Sequence, residues 1–350
     1  MSLKVIKVSS GNPDFSRLLL RQSPGGKGIW SDCQFIVNQP VERCDWWFVL
    51  HGSGLRLAEK TLCDPDHIVY VSMEPNESVG NISINFLEQF SRIILCDRKI
   101  AHKNITYANG LTWWVGMNLR HQNGQHQFSS DFALDYDRLT SMIMPKKQNR
   151  ISVILSKKNF LVGHKKRLFF IEKLKEHPIG SYIDIFGGGF NPIPDKWDAI
   201  APYKYHLVLE NDVVPDYWTE KLADAFLGFA FPIYYGCPNI NNYFDEKSLV
   251  SIDINDLDKT FSILKELIST DSYEKHFESI IRARDKVLNQ YNIFHLMASI
   301  CEEPTLRYTQ CSLKPNSYYT DLYFKVFFRN LIYKNSLVES AYRKITKRKS

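Results

Sequence analysis

Short apolar runs that alternate with helical patterns constrain the fold of this chain more than any other feature. The runs rich in Val, Ile, Tyr and Phe are predicted strands at residues 3–8, 46–50, 67–73, 92–96, 150–156, 181–187, 203–210, 231–236 and 249–254. Helical patterns lie between several of them, as at residues 165–177 and 216–228. Strands that alternate with helices form parallel sheets, and continuous apolar strands suit sheets buried on both faces. The sequence therefore predicts an α/β fold.

A polar stretch divides the chain into two halves. A chain of 350 residues is too long for one typical domain and long enough for two. Residues 120–150 contain many Gln, Asn and Ser and few strand-forming runs. We therefore predict one domain over residues 1–145, a second over residues 146–315, and an appended tail over residues 316–350.

The composition indicates a cytoplasmic protein. No run approaches the ~18 apolar residues of a transmembrane helix, and the first residues lack the apolar core of a signal peptide. The seven cysteines include no Cys-x-x-Cys pair, which argues against a disulfide framework or a zinc site. We therefore expect reduced thiols in a cytosolic compartment.

The positive charge is concentrated in the tail. The formal net charge is +6, and residues 322–350 contain eight Lys or Arg and one Glu, a sum of +7, so the other residues sum to −1. A nucleic-acid surface would spread basic residues over a face of the fold, and we therefore predict no nucleic-acid partner.

The tail also has an amphipathic pattern. Apolar residues recur at helical spacing at Phe324, Phe328, Leu331, Val338, Tyr342 and Ile345. A basic amphipathic helix with aromatic residues is typical of a membrane surface. We expect peripheral contact with the inner face of the cytoplasmic membrane; the alternative is a helix that packs on the N-terminal domain.

Residues 209–236, LENDVVPDYWTEKLADAFLGFAFPIYYG, read as the end of a strand, a loop, a helix and another strand. Pro215 ends the first strand, Asp216 is predicted to cap the helix, and Gly228 suits its C-terminus. In such crossovers ligands bind beyond the carboxyl ends of the strands, where a helix N-terminus favours an anion.

The side chains at this turn suit a nucleotide sugar. Lys221 can meet a phosphate, Glu220 suits hydroxyl groups such as those of a ribose, and Tyr217 offers a ring for stacking. The alternative is that Asp216 and Glu220 merely favour the helix start and that Lys221 is solvated.

The same stretch resembles the donor-site pattern of the α1,3-fucosyltransferases, glycosyltransferase family 10. That pattern is approximately Y-K-[FY]-x-L-x-[FL]-E-N, a short loop, D/G-Y-[VIW]-T-E-K-[LI], then A-[FY] and a P-[IV] strand ending in Gly. The matching residues are Tyr203, Lys204, Tyr205, Leu207, Leu209, Glu210, Asn211, Tyr217, Thr219, Glu220, Lys221, Ala225, Phe226, Pro232 and Gly236. The resemblance covers roughly residues 150–300 well and the first half loosely.

The resemblance implies the GT-B fold, with two Rossmann-like domains facing a cleft. The C-terminal domain would bind GDP-fucose, and the N-terminal domain would bind an oligosaccharide or lipid-linked glycan acceptor. Transfer from GDP-β-L-fucose would invert the anomeric centre and form an α-L-fucoside, with an α1,3 linkage expected. The expected setting is the synthesis of a bacterial surface polysaccharide or lipopolysaccharide. The rivals are another GDP-sugar donor and a non-catalytic glycan-binding homologue.

The resemblance also assigns donor-binding roles. They fall on Arg167, Glu210, Asn211, Tyr217, Thr219, Glu220 and Lys221. Arg167 lies in R-L-F-F-I-E-K-L, which matches the family's R-x-x-[FY]-x-x-x-L, and its fork can grip phosphate oxygens. The alternatives are that Arg167 is solvated or that Lys166 takes its place. Because Lys and Arg can neutralise the diphosphate, we expect no cofactor and no essential divalent metal.

The predicted general base is a glutamate of the first domain. Glu74 ends the predicted strand at residues 67–73 and resembles the glutamate of the family's Glu-Ser-Pro element, with Glu77 as a rival. Asp135 and Asp137 have the Asp-x-Asp spacing of metal-dependent transferases, but they lie in the polar linker and are not predicted ligands.

Two further motifs leave alternatives open. The run at residues 187–189, GGG, follows a predicted strand and suits either close approach to the donor or a simple turn. Trp113 and Trp114 suit core packing or an interdomain seam better than stacking on a sugar.

Overall fold

The computed structural model contains two separate, mainly parallel β-sheets, which confirms the predicted α/β class and the pair of Rossmann-like sheets expected of GT-B. It describes residues 3–11, 15–50, 55–72, 82–108, 112–118, 120–122, 125–127, 133–157, 162–302, 305 and 307–320.

The first sheet belongs to the N-terminal half and has the order β2-β3-β1-β4-β6-β7-β8. The pair β2–β3 is antiparallel and the other neighbours are parallel. The strands are β1 Lys4–Ser10, β2 Ile29–Trp30, β3 Cys33–Val37, β4 Trp46–Leu50, β6 Ile68–Val71, β7 Arg92–Leu95 and β8 Ile105–Tyr107. All five residues of β4 are buried, as expected for a strand covered on both faces.

The second sheet has the order β12-β11-β13-β14-β15 and is parallel throughout. Its strands are β11 Gln148–Ile154, β12 Ile183–Phe186, β13 Tyr203–Leu209, β14 Phe231–Tyr235 and β15 Val250–Ser251. The direction of chain order reverses between the neighbouring strands β11 and β13, which makes this position the topological switch point of the sheet. In open α/β sheets a switch point forms a crevice at the carboxyl ends of the strands, where ligands bind.

The described residues also form α-helices and two short antiparallel strand pairs. The helices are α1 Phe15–Leu20, α2 Ile84–Leu87, α3 Tyr136–Thr140, α4 Val162–Glu176, α5 Trp197–Ile200, α6 Glu220–Leu227, α7 Leu257–Thr270, α8 Tyr273–Leu288 and α9 Ile293–Ala298. The antiparallel pairs are β5 Glu59–Cys63 with β16 Thr309–Leu313, and β9 Arg120–Gln122 with β10 Gln125–Gln127.

Helix α6 begins later than the sequence predicted. Its N-cap is Thr219, whose side chain accepts a hydrogen bond from the backbone N–H of Lys221. Asp216 cannot cap it, because Asp216 adopts a left-handed φ of 64° and its carboxylate accepts hydrogen bonds from Asn239 and Tyr243. The predicted cap at Asp216 is therefore wrong.

Two segments pack on the half of the protein opposite to the one predicted for them. Trp113, Val115 and Leu139 join the core of the second sheet, although they precede residue 145. Residues 293–301 join the core of the first sheet, and β16 pairs with β5 of the first half. The apolar faces of these segments are complementary to sheets distant in sequence, and local pattern does not reveal such a pairing.

The end of the chain docks on the first half as far as it is described. The side chain of Asn316 accepts a hydrogen bond from the backbone N–H of Ser83, and Gln89 donates to the carbonyl of Lys314. The predicted amphipathic segment at residues 321–350 lies outside the described residues. Of the helices that the structure describes, none combines the length and apolarity needed to cross a membrane. All seven cysteines are described and buried, and they form no disulfide.

Candidate donor site

The candidate site lies at the carboxyl edge of the second sheet. Helix α4 follows β11, and its first turn meets the end of β13, where the carbonyl oxygen of Asn211 lies only 1.8 Å from where a Cβ on Gly163 would stand. A glycine is therefore required at residue 163, because any larger side chain would displace the loop after β13. The close approach brings the first turns of α4 and α6 to the same strand end.

Glu210 organises the start of helix α6. It is completely buried at the end of β13, and its carboxylate accepts hydrogen bonds from the backbone N–H and the hydroxyl of Thr219 at 2.8–3.0 Å. Lys221 donates to the same carboxylate at 3.2 Å. A buried carboxylate is stable only when it is paired and hydrogen-bonded, and these contacts supply both conditions.

Three further ion pairs surround Glu220 and extend along α6 to Asp224. Lys221 also contacts Glu220 at 3.4 Å, and Lys196 contacts Glu220 at 3.4 Å and Asp224 at 2.9 Å. Burial opposes ionisation of Glu220, but Lys221 and Lys196 outweigh it and lower its pKa to about 2. Burial also raises the pKa of Asp224, and there it prevails over the attraction of Lys196.

Lys196 was not among the predicted site residues. The residue lies in the loop after β12 and therefore on the same carboxyl edge as Lys221. The available signal was the rule that loops following parallel strands line the site. Burial opposes its charge, but Asp224 and Glu220 more than compensate and raise its pKa.

Arg167 lies on the buried face of α4, and its guanidinium reaches the end of β13. Its side chain donates from Nη1 to the carbonyl of Leu209 at 3.1 Å, and its Nε has no hydrogen-bond partner among the described residues. Burial lowers the pKa of Arg167, while the nearby charges of Glu210 and Glu220 support its ionised form. The guanidinium is therefore held at the strand end with donor capacity unused.

Tyr217 does not have the environment predicted for it. Its side chain is completely buried, so no face of its ring is available for stacking on a ligand. Asp216, directly before Tyr217, has a left-handed φ of 64°, and Trp218 and Thr219 after it are also buried. Residues 210–219 connect β13 to α6 and are called the donor loop below. Asn211, near the start of this loop, is half-buried and lies against the first turn of α4.

A cavity of about 420 Å³ opens beside these residues. It is lined by Lys166 from α4, Val213 from the donor loop, and residues that follow β14 and β15, including Gly236, Cys237 and Asp253. Its walls lie at the carboxyl ends of the strands, the edge where ligands bind in such sheets. Lys166, the alternative to Arg167, is thus at the same edge.

Other predicted residues have local roles or are not described. Asp135 caps α3, and the carboxylate of Asp137 accepts a hydrogen bond from the backbone N–H of Gly25. Gly187 has φ 108° and lies against the end of β11, which favours the simple-turn interpretation of the triple glycine. Glu74 and Glu77 lie outside the described residues. Among the described residues no group of three or more His, Cys, Asp or Glu side chains could hold a metal ion.

Trp113 and Trp114 form part of the seam between the two halves. Trp113 is completely buried in the core of the second sheet. The backbone N–H of Trp114 donates to Asp224 at 2.8 Å, and Arg21 of the first half donates to the carbonyl of Trp113 at 2.7 Å.

Comparison with known proteins finds a family match for the second half of the chain. Residues 144–313 match the model for glycosyltransferase family 10 (fucosyltransferase) C-term. An alpha-(1,3)-fucosyltransferase FucT of Helicobacter pylori is 34% identical over 80 residues, which are 23% of this chain and 16% of that protein. A GDP-fucose protein O-fucosyltransferase 3 of Danio rerio is 37% identical over 87 residues, 24% of this chain and 19% of that protein. The chain thus spans less than a fifth of the length of these two relatives.

The match over residues 144–313 includes every donor-binding residue predicted above. A solved structure of an alpha1,3-fucosyltransferase with GDP-fucose covers 87% of this chain and 92% of its own, at 14% identity and a TM-score of 0.47. The assignment to a family rests on the match over residues 144–313. Residues 144–313 are therefore a C-terminal domain of glycosyltransferase family 10, the fucosyltransferase family.

Proposed function

We propose that this protein is a glycosyltransferase that transfers L-fucose from GDP-β-L-fucose to a hydroxyl group of a glycan, with inversion at C1. The observation that carries the proposal is the family match over residues 144–313. The names of the two relatives specify fucose transfer, and one of them specifies GDP-fucose.

The charges at the strand end support a diphosphate donor. Arg167 comes from the second turn of α4 and Lys221 from the first turn of α6, and both are held beside Glu210. As the bond between C1 and the diphosphate breaks, negative charge grows on the leaving phosphate oxygens. Cations already in position stabilise that charge more than they stabilise the bound donor, which accelerates transfer. Glu220, ionised between two lysines, would accept hydrogen bonds from the ribose hydroxyls.

Inversion requires one displacement at C1. The acceptor oxygen forms the new bond, the bond to the diphosphate breaks with its electron pair, and GDP leaves. A carboxylate removes the proton of the acceptor hydroxyl, and we assign that role to Glu74, with Glu77 as the rival. Glu74→Gln should lower kcat by ~10²–10⁴ while GDP binding stays unchanged. The same loss from Glu77→Gln alone would move the assignment to Glu77. We expect activity to persist in EDTA, because the cations of the site replace a metal.

The acceptor and setting are proposed from the resemblance. We propose an α1,3 linkage on an oligosaccharide or lipid-linked glycan of a bacterial surface polysaccharide. The Danio rerio relative acts on protein, so a peptide acceptor belongs in the assay. We also propose that residues 322–350 bind the inner face of the cytoplasmic membrane. Their removal should release the protein from anionic vesicles without loss of transfer to a soluble acceptor, whereas loss of folding would contradict this role.

Ligand-induced stabilisation tests the donor directly. The purified chain is heated with GDP-fucose, GDP-mannose, UDP-galactose and ADP-glucose in turn. A ligand at 100 times its Kd adds ~2.7 kcal/mol to the free energy of unfolding, which raises Tm. The expected order is GDP-fucose above GDP-mannose, with no shift from the UDP- and ADP-sugars. A shift with another sugar nucleotide alone would reassign the donor, and no shift with any would favour a non-catalytic homologue.

A further inference from the structure

Two carboxylates of helix α6 lie side by side next to the proposed donor site. Glu220 and Asp224 are one helical turn apart, and their side chains are 19% and 1% exposed. Like charges at this spacing repel each other, and burial strengthens the repulsion. Lys196 contacts both, at 3.4 Å to Glu220 and 2.9 Å to Asp224. It reaches them from a different segment, the loop after β12.

Glu220 and Asp224 differ in the cations that they contact besides Lys196. Glu220 also contacts Lys221 at 3.4 Å, so it keeps a positive partner if Lys196 is removed. Asp224 forms its described ion pair with Lys196, and its other contacts are the backbone N–H groups of Trp114 and Val115 at 2.8 and 3.1 Å. Backbone donors offset a carboxylate charge less than a cation does. Asp224 therefore depends on Lys196 more than Glu220 does.

The surroundings hold further charges of both signs. The charged or titratable groups around the cluster are Glu210, Arg167 and Lys221 on the site side, and Asp195, Arg21, Lys147 and His206 on the other. On the site side, Glu210, Glu220 and Asp224 are balanced by Arg167, Lys196 and Lys221. Without Lys196 the three carboxylates would face two cations, and the excess negative charge would lie beside the diphosphate.

We propose that Lys196 is a positioning residue that sets the charge of the donor site: it compensates Asp224, so that Arg167 and Lys221 meet the diphosphate with no uncompensated carboxylate behind them. This inference rests on the proposed function for the identity of the ligand. Lys196 itself need not contact the donor.

The test is the pH dependence of GDP binding, measured by titration calorimetry on the full chain. Lys196→Met should weaken binding about tenfold at about pH 7.5, the size of one pKa unit of charge interaction. A lower pH favours the neutral form of Asp224, whose pKa is already raised by burial, so the loss should be smaller at about pH 5.5 than at about pH 7.5. Lys196→Arg should bind as the wild type does. The matched control is Lys173→Met, which removes a lysine paired with Glu176 on the surface of α4.

A double variant separates charge from shape. Lys196→Met with Asp224→Asn removes the uncompensated carboxylate and keeps an oxygen for the two backbone N–H groups. It should bind GDP within about threefold of the wild type at both pH values. An equal loss at both pH values, persisting in the double variant, would overturn the proposal in favour of a purely structural role. Wild-type affinity in Lys196→Met would also overturn it.

Stability supplies a readout that needs no ligand. In Lys196→Met the folded-state pKa of Asp224 should rise further above its unfolded value. The free energy of unfolding lost relative to the wild type should then be greater at about pH 7.5 than at about pH 5.5. A loss independent of pH would overturn the charge role even if the wild type bound no GDP. Absence of wild-type GDP binding would instead contradict the proposed function, which keeps the two failures distinct.

Discussion

Arg98 of the first half forms an ion pair with Asp216 of the second half. Arg98 follows β7 and Asp216 lies in the loop after β13, so the contact joins the carboxyl edges of the two sheets. The guanidinium also stacks over the ring of Tyr107 at 3.9 Å. Asp216 is followed by the residues that start helix α6, and the pair therefore links the first domain to the donor loop.

We expect Arg98→Ala to affect donor binding more than stability. The Arg98 side chain is 52% exposed, and an exposed ion pair contributes ~0–1 kcal/mol to the free energy of unfolding. GDP affinity should fall about threefold, because the donor loop loses a support from the first domain. Calorimetry and chemical unfolding measure the two effects. The control is Arg307→Ala, whose exposed side chain pairs with Asp64 and Asp66 of the first half and has no contact with Asp216 among the described ion pairs.

A double-mutant cycle tests whether the ion pair between Arg98 and Asp216 is what affects GDP affinity. Asp216→Asn keeps a side chain that tolerates the left-handed backbone and removes the charge. If the pair acts as proposed, Arg98→Ala should have no further effect on GDP affinity in the Asp216→Asn background. Additive losses would show that Arg98 acts through another contact.

Replacing Arg167 by lysine should weaken GDP binding at least about tenfold. A lysine at this position loses the planar fork that can hold two phosphate oxygens at once, and it is more strongly hydrated than a guanidinium. Arg150→Lys is the matched control, because Arg150 on β11 pairs with Asp184 on the edge strand β12 of the same sheet at 2.7–2.8 Å. Equal effects of the two substitutions would contradict a donor-binding role for Arg167.

The stability contributed by Glu220 should depend on pH in a defined direction. Its pKa falls from the ordinary 4.5 to about 2 in the folded protein. A lowered carboxyl pKa stabilises the fold above the unfolded-state value, and that stability is lost as pH falls from about 4.5 towards 2. The wild type should therefore lose a few kcal/mol more than Glu220→Gln over this range. Parallel curves of unfolding free energy against pH would refute the ionised pairing.

Gly163→Ala should disturb both folding and donor binding. The added Cβ would stand 1.8 Å from the carbonyl oxygen of Asn211, so α4 must move away from the end of β13. Overpacking of this kind costs ~1–3 kcal/mol, and the shift should also displace Arg167. The control is Gly188→Ala, where the nearest atom lies 3.9 Å from the new Cβ. Similar Tm values for the two variants would show that the close approach does not constrain the site.

The sequence by itself determined the parts of this protein that depend on local pattern. Apolar periodicity identified most strands of both sheets, because buried parallel strands need continuous apolar residues. The residues from Leu209 to Gly236 indicated a strand, a loop and a helix with donor chemistry, and the family match includes that segment. The family resemblance assigned Glu210, Thr219 and Lys221 to donor binding, and these three side chains are in contact.

Only the tertiary structure decided which distant residues complete the site. Local pattern could not identify the partners of Lys196 and Arg98, because Asp224 and Asp216 come from other segments. The complete burial of Tyr217 depends on the packing around the loop, which a motif does not specify. The segment at residues 293–301 packs on the first sheet because apolar complementarity acts through space, whereas periodicity shows only that a face is apolar and not which surface covers it.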